Sequence, residues 1–331
     1  MSKITLKEIG KALNLSVSTV SRALRDSYEI GEKTKERVLE YAKSVHYRPN
    51  PIAQSLKVNK SHSICVIIPE IANNFFSEVI NGIDYAAYER GYNVFIFQTH
   101  ESYEREVSSI HLGMDRRVDG FIMSLSGKTD HYDHLDLLKS EEIPIVYFDR
   151  VPPANNINKV VVNNFEGAYN GTKQLINKGK KKIAHITTPL ILSITKERLE
   201  GYKSCLRDHD IEIDEALIKF CSFDPQEAID IVNKLVYEDQ IDALFLGSDR
   251  LALNALNAVK KLGTSMQNKI EIVGFTNMKY VDLLSPVICA IYQPALEIGH
   301  AAANLLIDYI EARRKPEPKQ IVLKTFMKTN D

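Results

Sequence analysis

From Ser63 onward, short apolar runs of strand length alternate with amphipathic stretches of helix length, and few folds accommodate that rhythm. The runs are Ile64 to Ile68, then a helix from Phe76 to Arg90 that stops at Gly91, then Val94 to Phe97, a further helix, Gly120 to Met123 and Ile145 to Phe148. Near-continuous apolar strands separated by crossover helices predict a doubly wound parallel sheet buried on both faces. The pattern restarts after Val160. A helix from Glu166 to Lys178 ends at Gly179, and Ile183 to Ile186, Leu217 to Phe220, Ala243 to Leu246 and Ile270 to Val273 predict a second sheet. A strand near Val287 to Ile291, a helix from Ala295 to Arg313 and a last strand near Ile321 to Phe326 let the chain cross back between the two lobes. The cleft between like lobes is the expected ligand site.

The first 60 residues follow a different pattern. The whole chain of 331 residues has a net charge of −1, but residues 1 to 60 carry about +6 and the remainder about −7. A basic head on an acidic body implies a polyanionic partner for the head alone. Thr5-Leu6-Lys7-Glu8 is a capping box that opens a helix with Leu6, Ile9 and Leu13 on its apolar face. Asn14 turns the chain, Ser16 caps a second helix with Val20, Ala23 and Leu24 inward, and the pair forms a helix-turn-helix. A third helix, about Glu32 to Ser44 with Gly31 as its cap, places Val38, Leu39, Ala42 and Val45 on its buried face. The outward residues of the second helix, Val17, Ser18, Thr19, Ser21 and Arg22, are small, hydroxylated or basic, as suits a helix in a major groove.

Next comes His46-Tyr47-Arg48-Pro49-Asn50-Pro51, then Ile52-Ala53-Gln54-Ser55-Leu56-Lys57. Pro49 ends the third helix, and Asn50 with Pro51 restarts one of barely two turns. So short a helix is marginal in water and is expected to order on a partner or on DNA, with Leu56 able to wedge between base steps of a minor groove.

Ile4-Thr5-Leu6-Lys7-Glu8, Val17 to Leu24, Tyr47-Arg48-Pro49-Asn50 and Ala53-Gln54-Ser55-Leu56 together resemble the LacI/GalR (lactose-repressor/galactose-repressor) family of transcription regulators, and the similarity runs through almost the whole chain. The resemblance implies a periplasmic-binding-protein-like body of two α/β lobes behind an all-α helix-turn-helix head. The expected division is a DNA-binding domain at 1–48, a hinge helix and linker at 49–61, and an effector-binding and dimerisation domain at 62–331. Its N-lobe takes about 62–161 plus a segment near 292–320, and its C-lobe about 162–291 plus the C-terminal strand. Base reading falls to Val17, Ser18 and Arg22, minor-groove insertion to Leu56 with Ala53 and Lys57 beside it, and phosphate contacts to Thr5, Ser16, Thr19, Ser21 and Asn50. A homodimer on near-palindromic double-stranded operator DNA is implied, with a small-molecule effector, most often a sugar or sugar derivative, between the lobes. A dimer rather than a tetramer is expected, since no heptad tail follows the last strand near Ile321 to Phe326.

Effector contacts are expected at Asn73 and Phe75 after the first strand, with Phe76 assigned to the core. They are also expected at the charged pair Asp149 and Arg150, at Arg198, at Phe223, at Ser248 and Asp249, and at Thr276. Where the family usually has Gly-Phe-Asp-Asp this chain has Gly274-Phe275-Thr276-Asn277, and the usual Asp-Asn is Asn163-Asn164. Loss of an acid weakens the case for an ordinary neutral sugar and leaves room for a modified or anionic ligand.

Other readings are weaker. Asp130-His131-Tyr132-Asp133-His134 has ligand-type residues, but a solvated loop and helix start accounts for it, and neither metal nor cofactor is expected. Lys178 to Lys182 complements a helix dipole. Cys65, Cys205, Cys221 and Cys289 show no C-x-x-C pairing and read as buried thiols. No nucleophile elbow or Walker loop supports an enzyme. With no apolar run long enough for a membrane span and no secretory core at the N-terminus, a cytoplasmic protein is expected rather than a membrane protein, or the stand-alone sugar-binding receptor that would share the two-lobed body.

Overall fold

The computed structural model describes residues 4–24, 26–47, 60–222, 224–267, 269–281, 288–314 and 316–328. The chain forms two compact units, 1–61 and 62–331.

In the first unit, α1 (Leu6–Leu13) begins at the Thr5–Glu8 capping box and ends at Asn14, whose φ of 56° is left-handed. Gly10 is required here, because a Cβ would lie 2.7 Å from the Leu15 carbonyl oxygen and block the turn. Helix α2 (Val17–Ala23) starts at Ser16, whose hydroxyl accepts from the Thr19 amide at 3.0 Å, and α3 (Glu32–Ser44) follows Gly31. The three helices enclose Ile9, Val20, Ala23, Val38 and Ala42. Leu39 is not part of that core as its sequence suggested, being 51% exposed. The inward stripe of α3 runs Lys35, Val38, Ala42, and Leu39 lies one residue, about 100°, beyond Val38. Val45, also expected inside, is half-buried at the helix end.

The second unit contains two six-stranded sheets. The first has the order β11-β5-β4-β3-β1-β2, formed by β1 (Ser63–Ile68), β2 (Asn93–Gln98), β3 (Gly120–Met123), β4 (Ile145–Phe148), β5 (Asn158–Val162) and β11 (Gln320–Leu323), all parallel. Its helices are α4 (Asn74–Glu89), α5 (Tyr103–Asp115), α6 (Asp133–Ser140) and α12 (Ala295–Glu311). The second sheet, β12-β10-β9-β8-β6-β7, uses β6 (Ile183–Thr187), β7 (Ile218–Phe220), β8 (Ala243–Leu246), β9 (Glu271–Phe275), β10 (Cys289–Tyr292) and the antiparallel β12 (Phe326–Lys328). With it lie α7 (Asn164–Asn177), α8 (Ser193–Asp208), α9 (Pro225–Tyr237), α10 (Asp249–Lys261) and the short α11 (Thr264–Gln267).

Each sheet is covered on both faces by apolar clusters, so the central strands β1, β3 and β4 are buried at every position. The edge strand β2 is only partly covered, and Ile96 is 40% exposed. The last strand differs from its sequence assignment to the second lobe. It divides at Lys324-Thr325, β11 pairing with β5 in the first sheet and β12 with β10 in the second, so the tail ties the lobes together. Helices α4 and α12 pack closely because both present glycine at the crossing, where a Cβ on Gly82 would come within 2.1 Å of the Leu296 oxygen. All four cysteines are buried and unbridged, and burial pushes the Cys65 thiol up to about 12, which keeps it protonated and unreactive.

Candidate functional site

Two regions hold the expected residues. On α2, Val17, Ser18 and Arg22 are exposed while Thr19 and Ser21 are half-buried. The Ser16 hydroxyl contacts those of Ser18 and Thr19 at 2.7 and 2.8 Å, so three hydroxyls gather at the N-terminal end of the helix. The first turn of α2 carries no acid. Thr5 is exposed at the start of α1. Backbone amides and hydroxyls at helix N-termini suit phosphate oxygens. Arg22 Nη1 lies 3.0 Å from Glu29 Oε2. Asn50, Ala53, Leu56 and Lys57 lie outside the described residues, as does Phe223.

The second region lies where the carboxyl ends of both parallel sheets meet. Asn73, Phe76, Glu101 and Arg150 from one lobe and Ser248, Asp249 and Arg250 from the other line a cavity of about 30 Å³, enough for one or two waters. The lobes are therefore closed upon each other. An ion pair between Glu70 and Arg250 spans the cleft, and Lys279 Nζ approaches Glu78 Oε1 at 3.8 Å.

Each group has a definite local cause. Asn73 caps α4, its Oδ1 accepting from the amides of Phe75 and Phe76 at 2.9 and 3.4 Å. Phe76 forms cavity wall beneath the Arg150 guanidinium, 5.8 Å from its ring centre. Phe75 and Phe76 both lie in the first-lobe core, as expected for Phe76, and of the two only Phe76 also lines the cavity. Arg150 is fixed by Glu101 at 2.7 Å, and Glu101 also accepts from the Gly127 amide at 2.6 Å. Desolvation is the largest single influence on Arg150 and lowers its pKa, but the charges of Glu101, Asp149 and Glu106 with the Glu101 hydrogen bond together hold it above the usual value. Asp149, with a left-handed φ of 55° at the end of β4, lies behind Arg150 and off the cavity wall. Non-glycine residues in that conformation cluster at functional sites.

Arg198 is also behind the wall. Its Nε donates to Asn164 Oδ1 at 2.8 Å, its Nη1 to the Gly247 oxygen at 2.7 Å, and its guanidinium lies 3.8 Å from the Phe275 ring centre. Burial lowers its pKa to about 10, a shift that Asp149 partly offsets. Nη2 is buried with no hydrogen-bond partner among the described residues. Thr276 is likewise covered, and its hydroxyl donates to Asp249 Oδ1, which also accepts from the Asn277 amide at 3.1 Å. Burial raises the Asp249 pKa while those two donors pull it back. Asp249, one of the expected contacts, is thus a cleft carboxylate held in place by Thr276. Thr276 fixes Asp249 and does not itself line the cavity.

Glu70, Glu101 and Arg250 were missed in the sequence. The signal for Glu101 was its position just past a strand end; in the structure His100 and Glu101 both adopt left-handed φ, 48° and 60°. Elsewhere, Asp130 pairs with His131, and no group of three or more His, Cys, Asp or Glu converges among the described residues. Lys178 pairs with Glu271, as a solvated face would. No helix among the described residues is long and apolar enough to cross a membrane.

Residues 5–50 match the family profile of bacterial regulatory proteins of the lacI family, and residues 61–329 match that of periplasmic binding proteins and the sugar-binding domain of the LacI family. The chain is 28% identical to the HTH-type transcriptional repressor PurR of Vibrio vulnificus (strain CMCP6), over 98% of this chain and 99% of that protein. It is also 28% identical to catabolite control protein A of Priestia megaterium, over 93% and 92%. A crystal structure of the lac repressor dimer bound to operator and the anti-inducer ONPF shares the fold at a TM-score of 0.84, with 21% identity over 98% of each chain. With a helix-turn-helix profile at one end and the two-lobed binding profile over the rest, this chain belongs to the LacI family of bacterial regulators.

Proposed function

We propose that the chain is a transcriptional repressor, not an enzyme, that acts in the cytoplasm as a homodimer on near-palindromic operator DNA and is controlled by a small molecule held between its lobes. The observation that carries this reading is the pairing of two features in one chain: an acid-free, hydroxyl-rich reading helix and a cleft walled by an ordered Arg150–Glu101 pair opposite Asp249. In the head, Val17, Ser18 and Arg22 read bases, while Thr5, Ser16, Thr19 and Ser21 bind phosphates. Asn50, Ala53, Leu56 and Lys57 act in the hinge. Two copies supply two half-sites.

In the cleft, Asn73, Arg150, Ser248 and Asp249 meet the effector directly, with Phe76 as the apolar wall. Asp149, Thr276 and Asn164 orient the charged groups, and Arg198 offers its remaining Nη2. Phe223 completes the set. Carboxylate, amide, guanidinium and one aromatic face together suit a ligand with several hydroxyls. Relatives support a saccharide: a structure of 24% identity is a cellobiose complex of the regulator CelR, and another holds ribose. A cavity of about 30 Å³ admits no sugar, so binding requires the lobes to separate and then settle at a new angle. That angle sets the spacing of the hinge segments in the dimer, so effector and operator affinities change reciprocally.

The test is calorimetry on the full chain with cellobiose, ribose and ribose 5-phosphate, repeated on Arg150→Ala. Binding of a neutral saccharide that Arg150→Ala abolishes supports the assignment. Tight binding that survives Arg150→Ala contradicts it.

A further inference from the structure

We propose that Glu29 is a specificity-determining residue of the DNA-reading head, acting as a buttress that presents the Arg22 guanidinium to a base edge. The inference rests on the assignment of Arg22 to base reading, and it concerns a residue outside the reading helix.

Arg22 sits in the last turn of α2 and Glu29 in the turn that leads to α3, and the guanidinium meets the carboxylate through Nη1, 3.0 Å from Oε2. The opposite edge of the fork remains for a base. Both side chains stay about half-exposed, 53% and 45%, so the pair stands at the surface rather than in the core. An exposed ion pair of this kind adds little to the stability of a fold. Its use must lie elsewhere.

The turn that holds Glu29 is fixed independently of Arg22's side chain. The Ser27 amide donates to the Arg22 carbonyl at 3.1 Å, the Ile30 amide donates to the Ser27 carbonyl at 3.2 Å, and the Glu29 amide donates to the Ser27 hydroxyl at 3.4 Å. Asp26, in a left-handed conformation with φ of 52°, accepts from Lys35 at 2.7 Å, and Lys35 is itself buried and held by Glu32 at 2.9 Å. A carboxylate on so constrained a turn has a defined position before DNA arrives.

Two consequences follow from placing an acid there. Arginine reads guanine through two parallel N–H donors, and a guanidinium already held at one nitrogen loses less freedom on forming that fork. The carboxylate also repels phosphate oxygens, which penalises any docking in which Arg22 leaves Glu29 for the backbone. Glu29 therefore costs some sequence-independent affinity and increases discrimination at one base pair of each half-site.

The experiment uses the full chain and a duplex enriched from a random library, with four probes that vary each position of one half-site. Affinities are measured for the natural chain, Glu29→Gln, Glu29→Asp and Arg22→Ala at two salt concentrations. For Glu29→Gln, discrimination at a single position should fall by roughly tenfold, to near the level of Arg22→Ala, while binding to unrelated DNA is unchanged or tighter. Glu29→Asp, which keeps the charge on a shorter arm, should lie between. If Glu29→Gln binds its preferred site more tightly with discrimination intact, Glu29 competes with DNA for Arg22 and the proposal is overturned. Unchanged discrimination overturns it equally. If Arg22→Ala itself shows the natural base preference at every position, the assignment of Arg22 has failed, a result that the Glu29 variants cannot mimic.

Discussion

Replacing Arg198 with methionine should leave the fold almost as stable as before while removing the effector response. The guanidinium is fully buried, and burial lowers its pKa from 12.5 to about 10, so the folded environment disfavours the ion by about 3 kcal/mol. The lowered value means that this cost is fully present below pH 10 and is relieved only as pH rises above it. Methionine abolishes the cost but leaves Asn164 Oδ1 and the Gly247 oxygen without their donor, each loss costing about 1 to 3 kcal/mol. The opposing effects nearly cancel, and the net change should be a loss of about 1 kcal/mol. Urea unfolding at pH 7, followed by far-ultraviolet circular dichroism, reads that quantity. A loss above about 4 kcal/mol would refute the reasoning, because Arg198 would then be a net contributor to the fold. Retention of effector binding by the same variant would remove Arg198 from the site.

Three further outcomes follow from particular contacts. His185 is buried between Tyr202 and Phe245, and desolvation lowers its pKa to about 4, so stability present above pH 6.5 should fall by roughly 3 kcal/mol as the pH drops toward 4; His185→Phe should flatten that decline, and an unchanged slope would contradict it. Gly299→Ala puts a Cβ 2.0 Å from the Val79 oxygen, and forcing α4 and α12 apart should cost about 3 kcal/mol or prevent folding, whereas a thermal midpoint within a degree of the parent would disprove the close crossing. Glu70→Lys replaces the ion pair across the cleft with two cations and should speed amide hydrogen exchange at residues 247–250; unaltered exchange would show that the pair does not hold the lobes together.

The helices of the head were legible because their caps are local. Thr5, Ser16 and Asn14 act within three or four residues of themselves, and short-range chemistry is what a sequence displays. The strand rhythm was legible for a related reason, since burial on both faces leaves runs such as Ser63–Ile68 almost wholly apolar. Contacts set by tertiary orientation were not legible. Phe75 and Phe76 follow the same cap, and only the way α4 lies on its sheet decides which ring reaches the cleft. Asp249 and Thr276 were each legible as strand-end residues, but they are far apart in sequence and meet only because β8 and β9 are adjacent and parallel, which the sequence does not display. The polar pair Lys324-Thr325 interrupts the C-terminal strand, but which sheet each half joins is set by tertiary pairing that the sequence does not display.

The most direct test of the account as a whole is selection of bound duplexes from a random library with the purified full chain, at two salt concentrations and with and without a cleft ligand found by calorimetry. The account predicts enrichment of a near-palindrome whose affinity falls steeply with salt and shifts when the ligand is added. Failure to enrich any sequence under either ligand condition would contradict it.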